Sequence, residues 1–215
     1  MFKFILILSK KFLNTFVIKN FFFFKYRSHI SYWADLENKS IDHNFTKYLE
    51  FNYDAKILIK KILQYSNKNH KILDICCNVG RHLNALNKLN YNNIYGFDIN
   101  SEAIDNISIN FKNLKKIKSN FTSLDAKNYF MRTESKFFDI VYTHGATLEL
   151  IPPTFDLIFE ISRVVKKFAI LMINVNGHAF PRFWRYEFKK NNFKIIEDRP
   201  IKNSSLVLFV LKKIN

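Results

Sequence analysis

The sequence predicts an α/β sandwich built on a mainly parallel β-sheet. Short apolar runs alternate with segments of helical periodicity along most of the chain, and no internal repeat interrupts this alternation. The last two apolar runs, residues 193–200 and 205–214, are joined by a link too short to hold a crossover helix. Because parallel neighbours need such a crossover, these two strands should run antiparallel to each other.

Seven strands are expected, each as a short apolar or β-branched run bounded by polar residues. The expected strands are residues 71–75, 92–99, 115–120, 137–144, 168–175, 193–200 and 205–214. Apolar residues at helical spacing predict an amphipathic helix over 53–66. Ser101 can cap a helix after the second strand, and Pro153 fits the first turn of a helix before the fifth. Residues 181–191 should also be helical.

The composition indicates one folded domain over residues 36–215, preceded by a distinct segment of residues 1–35. A chain of 215 residues with 48% hydrophobic content can bury a sizeable core. Cys76 and Cys77 are the two cysteines, and adjacent cysteines cannot join distant segments or complete a structural zinc site. No metal site is therefore expected, and a reducing cytoplasmic environment is the natural prediction.

The strongly basic charge raises the question of a nucleic-acid partner. The formal net charge is +16, and the lysines are scattered among many Asn, Ile and Phe residues. This skew indicates a coding bias spread over the surface rather than an RNA-contact pattern with interleaved aromatic residues. A nucleic-acid substrate is therefore not favoured, although the charge supports non-specific binding.

The N-terminal segment is basic and rich in phenylalanine. Its longest apolar run, residues 4–8, is too short for a transmembrane helix or for the core of a signal peptide. Four of its apolar residues would share one face of a helix: Phe4, Leu8, Phe12 and Phe16. An interfacial helix that makes a peripheral membrane contact through residues 1–27, a targeting presequence and a poorly ordered extension all remain open interpretations.

The stretch KILDICCNVGRHLNAL, residues 71–86, has the outline of a nucleotide-binding turn. A strand ends near Asp74, a loop of small residues follows, and a helix begins after Gly80. A dinucleotide-binding turn carries the pattern G-x-G-x-x-G, of which only Gly80 is present. Asp74 would also repel a pyrophosphate. S-adenosylmethionine (SAM) carries an ammonium and a sulfonium, so an acid at this position favours that cofactor.

A second acid ends the next strand. Asp98 lies 24 residues after Asp74, and a carboxylate there is suited to bind both hydroxyls of a ribose. Because the carboxyl ends of parallel strands meet at one edge of the sheet, the two acids should lie close together.

Residues 50–215 resemble the class I SAM-dependent methyltransferases. LDICCNVGRHL resembles their first motif, YGFDINSEAI the second, and FFDIVYTHGATLELIPP the fourth-strand motif. The resemblance implies a Rossmann-like three-layer sandwich with a mainly parallel seven-stranded sheet and a last antiparallel strand. It also implies SAM as the cofactor and methyl transfer to an O or N atom of a small molecule or glycan.

The resemblance further implies which residues contact the cofactor. They are Asp74, Cys76, Asn78, Gly80, Asp98, Ile99, Phe121, Thr122 and Thr143. The first four belong to the motif around the methionine part, and Asp98 is the ribose acid. Ile99, Phe121 and Thr122 would lie at the adenine, and Thr143 near the methyl group. Cys76 replaces the usual first glycine, and the loop is expected to survive if the φ angle of this residue stays negative.

His144 and Glu149 are the candidate catalytic residues, because one of them could accept a proton from the methyl acceptor or orient it. Aromatic and basic residues on both sides of the domain are expected to contact the acceptor. They are Tyr32, Trp33, His178, Phe180, Arg182 and Trp184. The alternatives are an RNA methyltransferase and a non-catalytic partner protein with a SAM fold.

Overall fold

The structure is a computed structural model and describes residues 2–13, 33–34, 46–145, 147–177 and 179–214. Several expectations concern residues outside these ranges, namely those for Phe16, Tyr32 and His178 and for most of the N-terminal segment. The proposed division near residue 35 also stays a prediction.

The described chain alternates helices and strands. The strands are β1 (Ile72–Ile75), β2 (Ile94–Asp98), β3 (Phe121–Ser123), β4 (Phe138–His144), β5 (Val165–Ile173), β6 (Phe193–Pro200) and β7 (Val207–Lys213). The α-helices are α1 (Phe2–Leu13), α2 (Thr46–Leu49), α3 (Tyr53–Tyr65), α4 (Arg81–Lys88), α5 (Ser101–Asn110), α6 (Ala126–Arg132), α7 (Leu157–Val164) and α8 (Trp184–Lys190). Two 3-10 segments, Lys112–Asn120 and Leu148–Leu150, complete the described elements.

The seven strands form one sheet in the order β3-β2-β1-β4-β5-β7-β6. The neighbours from β3 to β5 pair in parallel, whereas β7 is antiparallel to both β5 and β6. The predicted sandwich, with its mainly parallel seven-stranded sheet and antiparallel last strand, is confirmed. The order reverses between β1 and β4, which is the position where sheets of this kind bind ligands.

Apolar helix faces cover both sides of the sheet. Leu73 and Phe97 point into the layer that contains α6, α7 and α8, whereas Ile72 and Ile94 point into the layer of α3, α4 and α5. All four residues of β1 are buried, as expected for a central parallel strand. The helix layers on both faces hold the carboxyl ends of β1, β2 and β4 at one edge of a rigid sheet.

Four sequence predictions of local structure were wrong. Asn100, not Ser101, is the N-cap residue of α5, because the Asn100 side chain accepts a hydrogen bond from the Ala103 amide. Residues 115–120 belong to the 3-10 segment Lys112–Asn120, and the third strand begins only at Phe121. Pro153 lies in a turn, because α7 starts at Leu157 with Asp156 as its N-cap residue. Residues 165–167 extend β5 at its start, so this strand is longer than the predicted apolar run.

Helix α1 agrees with the helical pattern expected for the start of the N-terminal segment. Within the described ranges, no helix combines the length and apolar character needed to cross a membrane.

Candidate active site

A cavity of about 600 Å³ opens at the carboxyl edge of the sheet, beside the ends of β1, β2 and β4. Asp74, Asp98 and His144, each near the end of one of these strands, all line it. Its size is in the range of pockets that hold a cofactor or drug-sized ligand. The structure thus brings together both strand-end acids that the sequence singled out.

The loop after β1 turns sharply through three left-handed residues. Cys76, Asn78 and Gly80 have φ angles of 57°, 47° and 76°. Glycine and asparagine tolerate this conformation, whereas another residue in it costs about 1–2 kcal/mol. The negative φ on which the sequence made the survival of the loop conditional is thus not present at Cys76, because the turn holds this residue in the conformation that glycine adopts most readily.

Backbone hydrogen bonds and close packing hold this loop against β2. The Cys77 amide donates to the Phe97 carbonyl over 2.9 Å, and the Gly80 amide donates to the Cys77 carbonyl over 3.0 Å. Cys77 Sγ lies 2.9 Å from the point where a Cβ atom on Gly96 would stand. Gly96 therefore permits the close approach of loop and strand, a role that the sequence reading did not assign.

Asp98 is buried at the end of β2 and holds the loop with its carboxylate. The Asn78 amide donates to Oδ2 over 2.9 Å, and the Asn100 amide donates to Oδ1 over 3.0 Å. Burial raises the pKa of Asp98, although these amides oppose the shift. Each oxygen keeps a lone pair, so the carboxylate can still accept hydrogen bonds from the two hydroxyls of a ribose.

Asp74 is a buried carboxyl group, with only 2% of its surface accessible. A negative charge at this position is therefore costly. Its Oδ2 has no hydrogen-bond partner among the described residues and lies 3.8 Å from Nδ1 of His82. Burial raises the pKa of Asp74 to about 8, while the Tyr142 hydroxyl and the Arg81 charge oppose the shift. A cationic ligand would supply what this carboxylate lacks, so the residue fits the ammonium end of SAM.

His144 lies in the cavity wall within a cluster of basic and imidazole groups. Arg81 Nη2 lies 3.0 Å from Nδ1 of His144, and the rings of His144 and His82 are 4.9 Å apart. A guanidinium can only donate, so Nδ1 accepts and the neutral ring carries its proton on Nε2. Burial, His82 and Arg81 lower the pKa of His144 to about 2. The ring is thereby a hydrogen-bond donor at neutral pH, not a base ready to accept a proton.

Glu149 is fully buried and does not line the cavity. Its Oε1 accepts a 2.7 Å hydrogen bond from the Asn174 amide, and its carbonyl accepts one of 2.8 Å from the Phe180 amide. Burial raises the pKa of Glu149 to about 7. Through these two hydrogen bonds, Glu149 connects the turn after β4 to the segment after β5. This candidate catalytic residue therefore does not face the cavity.

Thr143 also lies beneath the cavity surface. It is fully buried, and its hydroxyl donates to the Ile75 carbonyl over 3.0 Å. The same hydroxyl contacts the hydroxyl of Thr147, which does line the cavity. Thr143 thus supports the floor near the predicted methyl position through its neighbour.

The residues at the expected adenine end differ in part from the prediction. Ile99 lines the cavity, but Phe121 is buried in the apolar layer of α5 and neither Phe121 nor Thr122 reaches the cavity. Leu124 and Asp125 line the cavity instead. The carboxylate of Asp125 caps α6 by accepting a hydrogen bond from the Asn128 amide, and such an acid before a helix was the signal that could have identified this position.

One part of the cavity lining is an apolar and aromatic wall. The described lining residues of this wall are Trp33, Tyr48, Leu150, Ile151, Pro152 and Phe155. Among the residues predicted to contact the acceptor that the structure describes, only Trp33 lies there. Phe180 and Trp184 are buried outside the cavity, and Arg182 supports the wall from behind by donating to the Ile151 carbonyl over 2.8 Å.

Comparison with known proteins identifies a methyltransferase domain in the chain. Residues 72–167 match the family described as a methyltransferase domain, which spans β1 to the start of β5. No curated protein sequence matches the chain.

Solved structures of SAM-dependent enzymes share the fold. A TehB-like SAM-dependent methyltransferase from Corynebacterium glutamicum is 16% identical with a TM-score of 0.59, over 73% of this chain and 87% of that one. Magnesium protoporphyrin IX methyltransferase from Synechocystis, crystallised with SAM, is 13% identical with a TM-score of 0.60, over 94% and 97%. Geranyl diphosphate C-methyltransferase from Streptomyces coelicolor, in complex with S-adenosyl-L-homocysteine, is 9% identical with a TM-score of 0.57, over 74% and 79%.

The sheet order, the two strand-end acids and the family match define a SAM-dependent methyltransferase. Residues 72–167 thus form a methyltransferase domain, and the chain has the fold of SAM-dependent methyltransferases of known structure. The buried acids at the strand ends fit SAM as the cofactor, and a methyltransferase also requires a methyl acceptor.

Proposed function

We propose that the protein transfers the methyl group of SAM to an O or N atom of a small molecule that has an apolar portion. The observation that carries this proposal is the apolar wall of the cavity, which includes Leu150, Ile151, Pro152, Phe155 and Trp33. Aromatic and aliphatic side chains contribute most of the contact area for a planar or aliphatic ligand. A glycan, which needs many hydrogen-bond partners, fits this wall less well.

We infer an orientation of the cofactor from the residues that line the cavity. Asp74 would hold the ammonium, Asp98 the ribose hydroxyls, and Ile99 and Leu124 would pack beside the adenine, with Asp125 at its edge. When bound, SAM supplies an already activated methyl group. The protein then contributes mainly by aligning acceptor and methyl group, which can account for a large part of the rate.

His144 has a different role in this proposal from the one the sequence suggested. With Nδ1 held by Arg81, its Nε2–H can donate a hydrogen bond but cannot accept a proton. Because Nε2 is itself buried, we expect His144 to shape the cavity wall beside the acceptor and not to act as its base. The proton of the nucleophile would leave to water or would already be absent in the reactive form of the acceptor.

An experiment in two stages tests this function. Calorimetry with purified protein first measures SAM binding, and methyl-labelled SAM is then incubated with the protein and cell extract separated into small-molecule, protein and RNA fractions. The proposal expects label in the small-molecule fraction. An Asp98→Ala variant, which should not bind SAM well, serves as the matched negative control.

The RNA alternative draws on the net charge of +16. An enzyme for RNA needs a basic surface beside the methyl position. The described cavity lining contains Arg81 and Lys127 as its cationic side chains, together with three aspartates. Label in the RNA fraction would favour this alternative, and SAM binding without transfer to any fraction would favour a non-catalytic role.

A further inference from the structure

Helix α1 exposes an unusual amount of apolar surface. Phe4 is 65% exposed, Ile5 is 55% exposed and Leu8 is 41% exposed. Among the described side chains of this helix, the half-buried ones are Ile7, Lys11 and Leu13. Most of the apolar side chains of α1 are thus presented to the surroundings rather than to the core.

These exposed side chains form one continuous stripe. Phe4 and Leu8 are one helical turn apart, and Ile5 lies beside them. Contiguous apolar patches of this kind are rare on the surface of a soluble monomer and usually mark an interaction site.

The charge of the helix specifies the kind of partner. Lys3, Lys10 and Lys11 lie on α1, and no acidic residue occurs before Asp35. The whole chain is also strongly basic. A second copy of the chain would bring two such basic helices together, whereas an anionic surface complements them.

We propose that α1 docks the protein on the surface of an anionic lipid bilayer. The apolar stripe would enter the boundary between headgroups and acyl chains, and the lysines would contact the negatively charged headgroups. Basic amphipathic helices bind membranes in this way, through buried apolar area together with attraction to anionic lipid. One helix of this length gives a reversible attachment.

The position of α1 relates this docking to the cavity. Lys11 Nζ donates a 3.0 Å hydrogen bond to Oδ1 of Asn176. Asn176 follows the end of β5, and β5 is parallel to β4, so this contact lies at the same edge of the sheet as the cavity. A bilayer bound by α1 would face the edge where the acceptor enters. This last consequence rests on the proposed function, whereas the docking itself does not.

Vesicle binding of the full chain tests the docking. Co-sedimentation is measured with phosphatidylcholine vesicles and with vesicles containing phosphatidylglycerol as well, using a removable C-terminal tag and mass spectrometry to verify the intact N-terminus. Binding to the anionic vesicles, and at least tenfold weaker binding to the neutral ones, is expected. No binding, or equal binding to both, would overturn the proposal.

Paired variants assign the binding to α1. Phe4→Ser with Leu8→Ser, and separately Lys3→Glu with Lys10→Glu, should each weaken anionic-vesicle binding at least tenfold. The matched controls are Ile109→Ser with Met131→Ser, which are exposed apolar residues on α5 and α6, and Lys88→Glu with Lys115→Glu. The controls should bind as the unmodified protein does.

Three further outcomes would contradict the proposal. The α1 variants could bind vesicles normally, or the control variants could lose binding to the same extent, which would reflect general charge or hydrophobicity. The unmodified protein could also dimerise in size-exclusion chromatography in a way that the α1 variants abolish, which would make a second copy the partner. SAM calorimetry on every variant verifies the folded domain and is independent of the vesicle result.

Discussion

The amide of Asn78 donates a 2.9 Å hydrogen bond to Oδ2 of Asp98, so the loop after β1 is tied to the end of β2 by the carboxylate that also faces the cavity. One carboxylate therefore shapes the first-motif loop and remains available to a ligand.

The first prediction concerns Asp98. Asp98→Ala should weaken SAM binding about 10- to 100-fold, because a hydrogen bond to a charged group contributes about 1.5–3 kcal/mol and about 1.4 kcal/mol corresponds to tenfold. Isothermal titration measures the affinity. Asp105→Ala, at an exposed acid paired with Lys118, is the control and should bind SAM normally. Unchanged SAM affinity in Asp98→Ala would exclude the ribose assignment.

The second prediction is that SAM binding releases a proton from Asp74. Burial raises the pKa of this carboxyl to about 8, so it is largely protonated at pH 7 and must ionise to hold an ammonium. Affinity should therefore rise between pH 6 and 8. Titrations in two buffers of different ionisation enthalpy report the number of protons released. Asp74→Asn should bind more weakly and release fewer protons; an identical proton count in this variant would refute the assignment.

A third prediction tests the left-handed backbone of Cys76. Both Cys76→Ala and Cys76→Gly remove the thiol, but only glycine adopts a φ of 57° without a steric cost. The glycine variant should be more stable than the alanine variant by about 1 kcal/mol in urea unfolding, which reverses the usual order. If alanine proves equal or better, the turn is not strained at this position.

Glu149 leads to a prediction for the pH dependence of stability. Its pKa in the folded protein, about 7, is above the ordinary value of 4.5, so folding is favoured by the protonated form. This stabilising contribution to the free energy of unfolding is complete below pH 4.5. About 3 kcal/mol of it is lost as the pH rises to 7. Glu149→Gln keeps an acceptor for the Asn174 amide and should lose less stability between pH 5 and 7.5. Urea unfolding at several pH values measures this, with exposed Glu102→Gln as the comparison.

The fifth prediction concerns the protonation of His144. Since burial, His82 and Arg81 lower its pKa to about 2, the ring should stay neutral from pH 5 to 8 with its proton on Nε2. Nitrogen NMR of labelled protein reports the tautomer directly. Arg81→Ala should raise the pKa of His144 and release the tautomer. A normal histidine titration near pH 6.5 in the unmodified protein would restore His144 as a candidate base.

The sequence was sufficient for the cofactor side of the site up to β2. Asp74 and Asp98 each follow an apolar run, and parallel pairing then brings strand ends together regardless of side-chain detail. Phe121 and Thr122, predicted to contact the adenine, do not line the cavity. The lysine-rich stretch before Phe121 forms a 3-10 segment, so the three-residue β3 ends at Ser123 and it is Leu124 and Asp125 that reach the cavity.

The acceptor side could not be derived from local patterns. Trp184 and Phe180 have the composition of a binding surface, but their burial depends on packing against distant elements of the core. Likewise, nothing in the order of residues shows that Glu149 points away from the cavity toward Asn174. The burial of Trp184 and Phe180 and the orientation of Glu149 depend on long-range packing. Such packing cannot be derived from a single sequence.

The reactivity of the two adjacent cysteines can be used to measure opening of the first-motif loop. Burial raises the pKa of both thiols, and alkylating reagents react with the thiolate. Cys76 and Cys77 are the only cysteines in the chain, and Cys77 is buried whereas Cys76 is half-buried, so the rate of labelling at Cys77 measures how often this loop opens. A ligand that closes the loop would slow the labelling, which allows binding to be followed by mass spectrometry without any introduced probe.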